Sequence, residues 1–234
     1  MVLLYRFLQG WLEPMVYHLY GKGATGKTTL AMHCAARIAN RGYKVIWMDT
    51  VNGFSIKRFR EITSHMTDGR SSILQNILIF KARNNIDLDT GKILLMKNYK
   101  NWNPKLLIVD TAFGIVNDHS KQASWKIATE FLATVRMMVS LQKIPAIIIN
   151  TVGFKPSLHH ERPTAEAILR MLSVEDVFLR RLVGSDGPKK DCFFLSCDDE
   201  SKFTISSKGI KLATKITTLP SRFGGIISKM ESFE

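Results

Sequence analysis

"GKGATGKTT", residues 21–29, decides how this chain is read. From Gly21 to Thr28 it meets the spacing G-x-x-x-x-G-K-[ST], and its flanks supply the context that the spacing needs. Tyr17 to Tyr20 lead in as a short apolar strand. "TTLAMHCAARIANRG" leads out with apolar residues at helical spacing and a glycine stop at Gly42. A strand, a glycine-rich turn and a helix in that order form a cradle for phosphate. Glycines let the backbone wrap until successive N–H groups point at one anion, and the helix N-terminus adds a favourable dipole. Gly21, Gly23, Ala24, Thr25, Gly26, Lys27, Thr28 and Thr29 are therefore the expected contacts of a nucleoside triphosphate. Lys27 is expected to bridge the terminal phosphates, and the Thr28 hydroxyl to ligate Mg²⁺.

Working outward, "KVIWMD" (44–49), "NILIFKA" (76–82), the apolar run that opens "KLLIVDTAFG" (105–114) and "PAIIIN" (145–150) read as buried strands. "FSIKRFREITSHM" and the strongly amphipathic "ASWKIATEFLATVRMMVSLQK" read as helices between them. Strands that are apolar at every position must be buried on both faces, so the pattern predicts an α/β fold with a mostly parallel sheet covered by helices on both sides. The polar, Lys/Asn-rich "RNNIDLDTGKILLMKNYKNWNP" is expected mostly on the surface. "VEDVFLRRLV", "KKDCFFLSC" and "SKFTISSKG" read as short strands joined by charged turns, an antiparallel C-terminal extension of the sheet. With no repeat or low-complexity linker, residues 1–234 are expected to form a single domain. Asp110 ends a buried strand one β/α unit beyond the phosphate loop, where a second magnesium handle acting through water is expected.

Composition narrows the partners. Lys and Arg outnumber Asp and Glu by 33 to 20, a formal charge of +13, so the summed field attracts a polyanion, nucleic acid before an acidic membrane surface. The same charge also suits a merely solvated surface. No apolar run reaches the ~18 residues that span a bilayer. The apolar N-terminus, "MVLLYRFLQGWLEP", is short and lacks a cleavage site, so no signal peptide and no membrane partner are expected. The scattered cysteines Cys34, Cys192 and Cys197 fit neither a disulfide frame nor a zinc site, and point to a reducing cytoplasm.

The stretch "LLYRFLQGWLEPMVYHLYGKGATGKTTLAMHCA" resembles the start of the RecA-like core of the archaeal RadA and RadB recombinases, with Leu8, Gly10, Leu12, Glu13, Tyr20 and Gly21 in register. "KVIWMDT", "LLIVDTA", "AIIIN" and "FTISSKGI" resemble, in order, later segments of that core. The resemblance spans nearly the whole chain. It implies a RecA-like three-layer fold, ATP with Mg²⁺, Lys27 and Asp110 in the catalytic centre, and Arg58 stacking on adenine. It also exposes two departures. Where the recombinases carry a water-activating glutamate after "DT" this chain has Val51, and where they carry a γ-phosphate-sensing glutamine after "AIIIN" it has Thr151. General-base assistance is worth ~10²- to 10⁴-fold, so only weak ATPase activity is expected, unless Asp49, Glu61 or a partner substitutes. Met1 stands where that core begins. The expectation is therefore an accessory paralogue without the helix-hairpin-helix domain or the filament-forming linker, monomeric or a small oligomer, acting beside the host's main recombinase in DNA recombination and repair.

In RecA-like folds two loops touch single-stranded DNA. Their counterparts are "NDHSKQASWK" (117–126) and "GFKPSLHHERPTAEA" (153–167). Lys121, Lys126, Lys155, His159, His160 and Arg162 are the candidate phosphate contacts, with Trp125 or Phe154 as stacking platforms and further lysines and arginines near the C-terminus extending a basic surface. A solvated loop is the competing reading of the two histidines. Two other classes compete for the whole chain. Lys22 makes the loop similar to the deviant "GKGGxGKTT" of the ParA, MinD and arsenite-pump ATPases, although "DTVN" lacks their paired aspartates; the other alternative is a KaiC-like nucleotide-gated scaffold.

Overall fold

The computed structural model describes residues 3–64, 66, 73–111, 113, 114, 121–155, 160–163, 168, 169, 171, 172, 174–181, 190–195, 200–206 and 209–215. In chain order the elements are α1 (Leu3–Gln9), β1 (Val16–Gly21), α2 (Lys27–Asn40), β2 (Val45–Asp49), α3 (Ile56–Thr63), β3 (Ile77–Lys81), α4 (Asn85–Trp102), β4 (Leu106–Asp110), α5 (Lys121–Gln142), β5 (Ala146–Lys155), β6 (His160–Pro163), β7 (Val174–Arg181), β8 (Lys190–Leu195), β9 (Glu200–Ser206) and β10 (Gly209–Lys215).

Nine strands run side by side in the order β10-β9-β8-β7-β1-β5-β4-β2-β3, and β6 pairs with β5 away from that row. The pairs β7–β1, β1–β5, β5–β4, β4–β2 and β2–β3 are all parallel, so six strands form the central sheet. β8, β9 and β10 continue it antiparallel. This is the mostly parallel α/β sheet that the apolar strands implied and the RecA-like architecture that the resemblance implied, with two adjustments at its C-terminal end. β7 joins the parallel set rather than the antiparallel extension, and the basic stretch from Gly209 to Lys215 is a strand of its own.

Two hydrophobic layers sandwich the sheet. One gathers α1, α2 and α3 over Tyr17, Leu19, Trp47, Ile108 and Ile149; the other gathers α4 and α5 over Ile46, Met48, Val109 and Ile148. Alternate residues of each strand feed opposite layers, which is why β2 and β4 are buried at every position.

The segment read as polar surface is an 18-residue helix, α4. Asn84 caps it by accepting from the Asp87 N–H at 2.8 Å, while Asp87 accepts from the Arg83 N–H at 2.8 Å. Only Leu88, Gly91 and Leu95 are buried. Gly91 admits Met48 so closely that a Cβ there would lie 2.6 Å from its Cε. Ile86, Ile93 and Met96 point to solvent, which blurs the apolar stripe and hides the helix from a periodicity reading. Among the described residues no helix is long and apolar enough to cross a membrane.

Candidate nucleotide-binding site

Parallel strands bring their carboxyl ends to one edge of the sheet, where open α/β folds bind ligands. Here the edge is set by register: Asp49 of β2 stands beside Asp110 of β4, and Gly21 of β1 stands beside Thr151 of β5. Gly21 opens the loop at φ 153° with β7 pressed against it, since a Cβ would lie 2.1 Å from the Leu179 carbonyl oxygen. Gly26 closes it at φ 94°, a left-handed conformation that a side chain resists, and no side chain caps the first turn of α2. The amides of that turn are thereby left for an anion.

Lys27, the first residue of α2, is buried. Its Nζ donates to the carbonyls of Gly21 at 2.8 Å and Lys22 at 2.6 Å, and lies 3.4 Å from the Thr25 hydroxyl. Burial drives its pKa down from 10.5 to about 8, with the Asp110 charge opposing. At the next residue, the Thr28 hydroxyl donates to Asp110 Oδ2 at 3.0 Å, although 82 residues separate the two in sequence. Asp110 is almost wholly buried, and its pKa rises from 3.8 to about 6. Burial is the main cause and the Asp49 charge adds to it, against the Thr28 hydrogen bond and the Lys27 charge. A hydroxyl and a carboxylate one hydrogen bond apart, beside a desolvated ammonium, are an all-oxygen donor set that suits Mg²⁺ on a triphosphate.

No protein-family model matches the chain. A DNA repair and recombination protein RadB of Thermococcus sibiricus is 30% identical over 162 residues, covering 67% of this chain and 68% of that protein. The RadB proteins of Thermococcus gammatolerans and Pyrococcus furiosus are 28% and 25% identical, over 68% of this chain in each case and 71% and 69% of theirs. The chain belongs to the RadB family. Its phosphate loop is therefore that of a RecA-like recombinase paralogue, not that of a deviant-loop ATPase.

Within this RadB-family core the two carboxylates expected as substitutes for a glutamate at position 51 are already engaged. Asp49 Oδ1 accepts from the N–H groups of Val51 (3.3 Å) and Gly53 (2.9 Å), and Oδ2 from Phe54 (3.1 Å), so it closes the turn after β2. Glu61 accepts from Arg58 at 3.1 Å. Val51 itself is 48% exposed, just past Thr50 in the turn after β2. Thr50 ties the two strand ends together: its hydroxyl donates to the Thr111 carbonyl at 2.7 Å and accepts from the Thr111 N–H at 3.0 Å.

Sequence reasoning missed how the C-terminal hairpin braces this RadB phosphate loop. A Cβ on Gly26 would lie 2.3 Å from Ile205 Cδ1, so β9 packs directly on the loop. His33 Nε2 accepts from the Ile210 N–H at 3.2 Å, pinning β10 to α2. Burial, then the charges of Arg37 and Arg58, hold His33 down from 6.5 to about 4 and keep it a neutral acceptor. Arg58, the expected adenine platform, donates to the Ser206 carbonyl at 2.6 Å as well as to Glu61. Alternating apolar residues in "SKFTIS" were the available signal, but nothing in the sequence says which loop they cover.

The expected DNA loops are more regular than their sequences suggested. Residues 117–120 and His159 lie outside the described residues, but Lys121 already begins α5. Lys126 is exposed on that helix beside a cleft of about 470 Å³ shared with Asn85, Ile86, Asp89 and Glu130. Trp125 packs on Phe113 with ring centroids 4.9 Å apart. The described residues of the second loop are paired strand: β5 runs on to Lys155, and β6 returns with Lys155 opposite His160, Phe154 opposite Glu161 and Gly153 opposite Arg162.

Proposed function

We propose that this RadB-family protein binds ATP with Mg²⁺, turns it over weakly, and uses the nucleotide-bound form to bind single-stranded DNA and modulate a full recombinase during homologous recombination and repair. The observation that carries the nucleotide half is the Thr28–Asp110 hydrogen bond of 3.0 Å beside buried Lys27. Gly21, Gly23, Ala24, Thr25, Gly26, Lys27, Thr28 and Thr29 hold the phosphates, Thr28 and Asp110 hold the metal, and Arg58 lies on the side of the loop next to β9. The metal supplies charge neutralisation at the terminal phosphates when bound. Lys27 contributes a positive charge whose desolvation is offset once phosphate replaces the loop carbonyls as its partner.

The relatives' names, DNA repair and recombination proteins, support the DNA half. So does the β5–β6 pairing, which sets Lys155 opposite His160 and Gly153 opposite Arg162; Lys155, His160 and Arg162 are the proposed phosphate contacts, with Lys121, Lys126 and His159 as further ones. Contacts to phosphate rather than to base edges give slight sequence preference and steep salt dependence. The test is fluorescence anisotropy on a labelled oligonucleotide, with and without ATP, between about 50 and 200 mM salt. Affinity falling by orders of magnitude across that range is expected for several phosphate contacts; indifference to polynucleotide at the low end refutes the DNA half. A pull-down against the host's main recombinase, with and without ATP, tests the partner.

A further inference from the structure

A chain of buried polar groups links the strand that feeds the phosphate loop to the first peptide of the β5–β6 hairpin. His18 sits in the middle of β1, three residues before Gly21, and is 1% exposed. Its Nδ1 lies 2.8 Å from Asp176 Oδ1 on β7, and its Nε2 lies 3.2 Å from Asn150 Nδ2 on β5. Asn150, also 1% exposed, accepts with its Oδ1 from the Thr151 N–H at 2.8 Å. Three neighbouring strands are thus joined on one face of the sheet, with Tyr20 stacked on the His18 ring at 5.0 Å and Phe178 against Tyr20 at 5.2 Å.

Proton logic fixes the direction of every bond. A backbone N–H can only donate, so the atom facing Thr151 N is the Asn150 oxygen, and the amide cannot flip. Its NH₂ therefore faces His18 and donates, which makes Nε2 an acceptor. The single ring proton must then sit on Nδ1, where it donates to Asp176. Neither the opposite tautomer nor a doubly protonated ring fits, because each would set an N–H against the Asn150 NH₂.

The geometry points to His18, held as its Nδ1–H tautomer by Asp176, as the positioning residue that orients Asn150 and so sets where the β5–β6 hairpin departs from the sheet beside the phosphate loop. Thr151, whose N–H donates to Asn150, pairs with Gly21, the loop's first residue. A change in how that loop seats and a change in how the hairpin leaves the sheet are therefore felt by the same side chains. The role in DNA binding rests on the reading of the hairpin under Proposed function; the positioning itself does not.

Two-bond ¹H–¹⁵N correlation spectra of the full chain give the tautomer directly. The pattern of a protonated Nδ1 and a bare Nε2 is expected, and the reverse pattern overturns the proposal. His18→Gln can still accept from Asn150 through its carbonyl and donate to Asp176 through its amide, whereas His18→Phe can do neither. The Asn150 side-chain NH₂ and Thr151 backbone N–H signals are expected near their original positions in the first variant and displaced in the second, with ATP affinity retained in both. Signals that ignore His18→Phe, or that His18→Gln disturbs as much, overturn it. Single-stranded DNA affinity about tenfold weaker in His18→Phe alone, the loss of one good hydrogen bond's worth of ordering, supports both the positioning and the hairpin's role. Displaced signals with unchanged DNA affinity uphold the positioning and refute the hairpin as the DNA contact.

Discussion

Lys27→Met is expected to make the ligand-free protein more stable while abolishing its response to ATP. The ammonium is buried, and folding brings its pKa from 10.5 to about 8. At ~1.36 kcal/mol per pH unit, holding that charge in the folded state at neutral pH costs about 3 kcal/mol relative to an exposed lysine. The sign follows from linkage. A lysine with a depressed folded pKa leaves the unfolded chain binding more protons between 8 and 10.5, so stability is lost as pH falls through that window and stays lost at pH 7. Methionine keeps most of the volume and removes the charge. Against that relief stand the carbonyls of Gly21 and Lys22, which lose a donor at about 1 kcal/mol each. The net gain is about 1 kcal/mol, or roughly 2–4 °C in melting temperature for a chain of this size. Differential scanning fluorimetry reads both halves. With Mg·ATP at about 100 times Kd the original protein should gain ~2.7 kcal/mol and the variant nothing. A variant that melts several degrees lower without ligand, yet still shifts with ATP, would refute the view that the loop stores an unfavourable charge for phosphate to relieve.

Asp110→Asn tests the opposite charge. A carboxyl raised from 3.8 to about 6 favours the fold fully below 3.8 and loses that favour as pH rises through 6. Without metal the variant should therefore exceed the original in stability by up to about 3 kcal/mol at pH 7, an advantage that vanishes near pH 4 in urea melts; its Mg²⁺-dependent ATP binding should be lost. His33→Gln should flatten the acid limb of the stability profile. His33, lowered from 6.5 to about 4, contributes stability above 6.5 that is lost as pH falls toward 4, again about 3 kcal/mol, and the C-terminal hairpin should loosen first by hydrogen exchange. Val51→Glu should raise steady-state ATP turnover at least tenfold, within the 10²–10⁴ that general-base assistance can supply; an unchanged phosphate-release rate would mean that position 51 does not face the attacking water.

What the sequence made legible follows the range of the physics involved. The loop at residues 21–28 and the strands at 45–49 and 106–110 are local facts, a motif spacing and runs of apolar residues, and they stand where the pattern put them. That Thr28 meets Asp110 could be anticipated only because a parallel sheet must bring the ends of its strands together. α4 was hidden because Gly91 and exposed Ile86, Ile93 and Met96 break the stripe that a buried helix normally shows. The continuation of β5 to Lys155 was hidden because "NTVGFK" lacks the apolar signature of "AIII": β1 pairs with it only as far as Thr151, and from Val152 on its partner is β6. Ile205 over Gly26, and His33 on Ile210, depend on where a distant hairpin folds back, 177 residues separating His33 from Ile210, and no local pattern encodes that.

The site's asymmetry bears on function. The groups proposed to grip a triphosphate are braced: two glycines in conformations that a side chain would strain, a desolvated lysine, and a hydroxyl bonded to a buried aspartate. At position 51, where the resemblance to the recombinases expects a water-activating glutamate, stands a half-exposed valine, and Asp49 has its two oxygens occupied by three backbone N–H groups. Freeing Asp49 for proton transfer would orphan those donors at ~1–3 kcal/mol apiece, so the turn after β2 would have to unfold before this carboxylate could serve as a base. Drift that merely weakened an enzyme has no reason to spare the binding half so completely. A protein that works by holding nucleotide, and by presenting a different surface when it does, needs the grip and gains nothing from fast hydrolysis. On that argument a slowly hydrolysed ATP analogue should support single-stranded DNA binding by this chain as well as ATP does, and a requirement for turnover in the same anisotropy assay would overturn it.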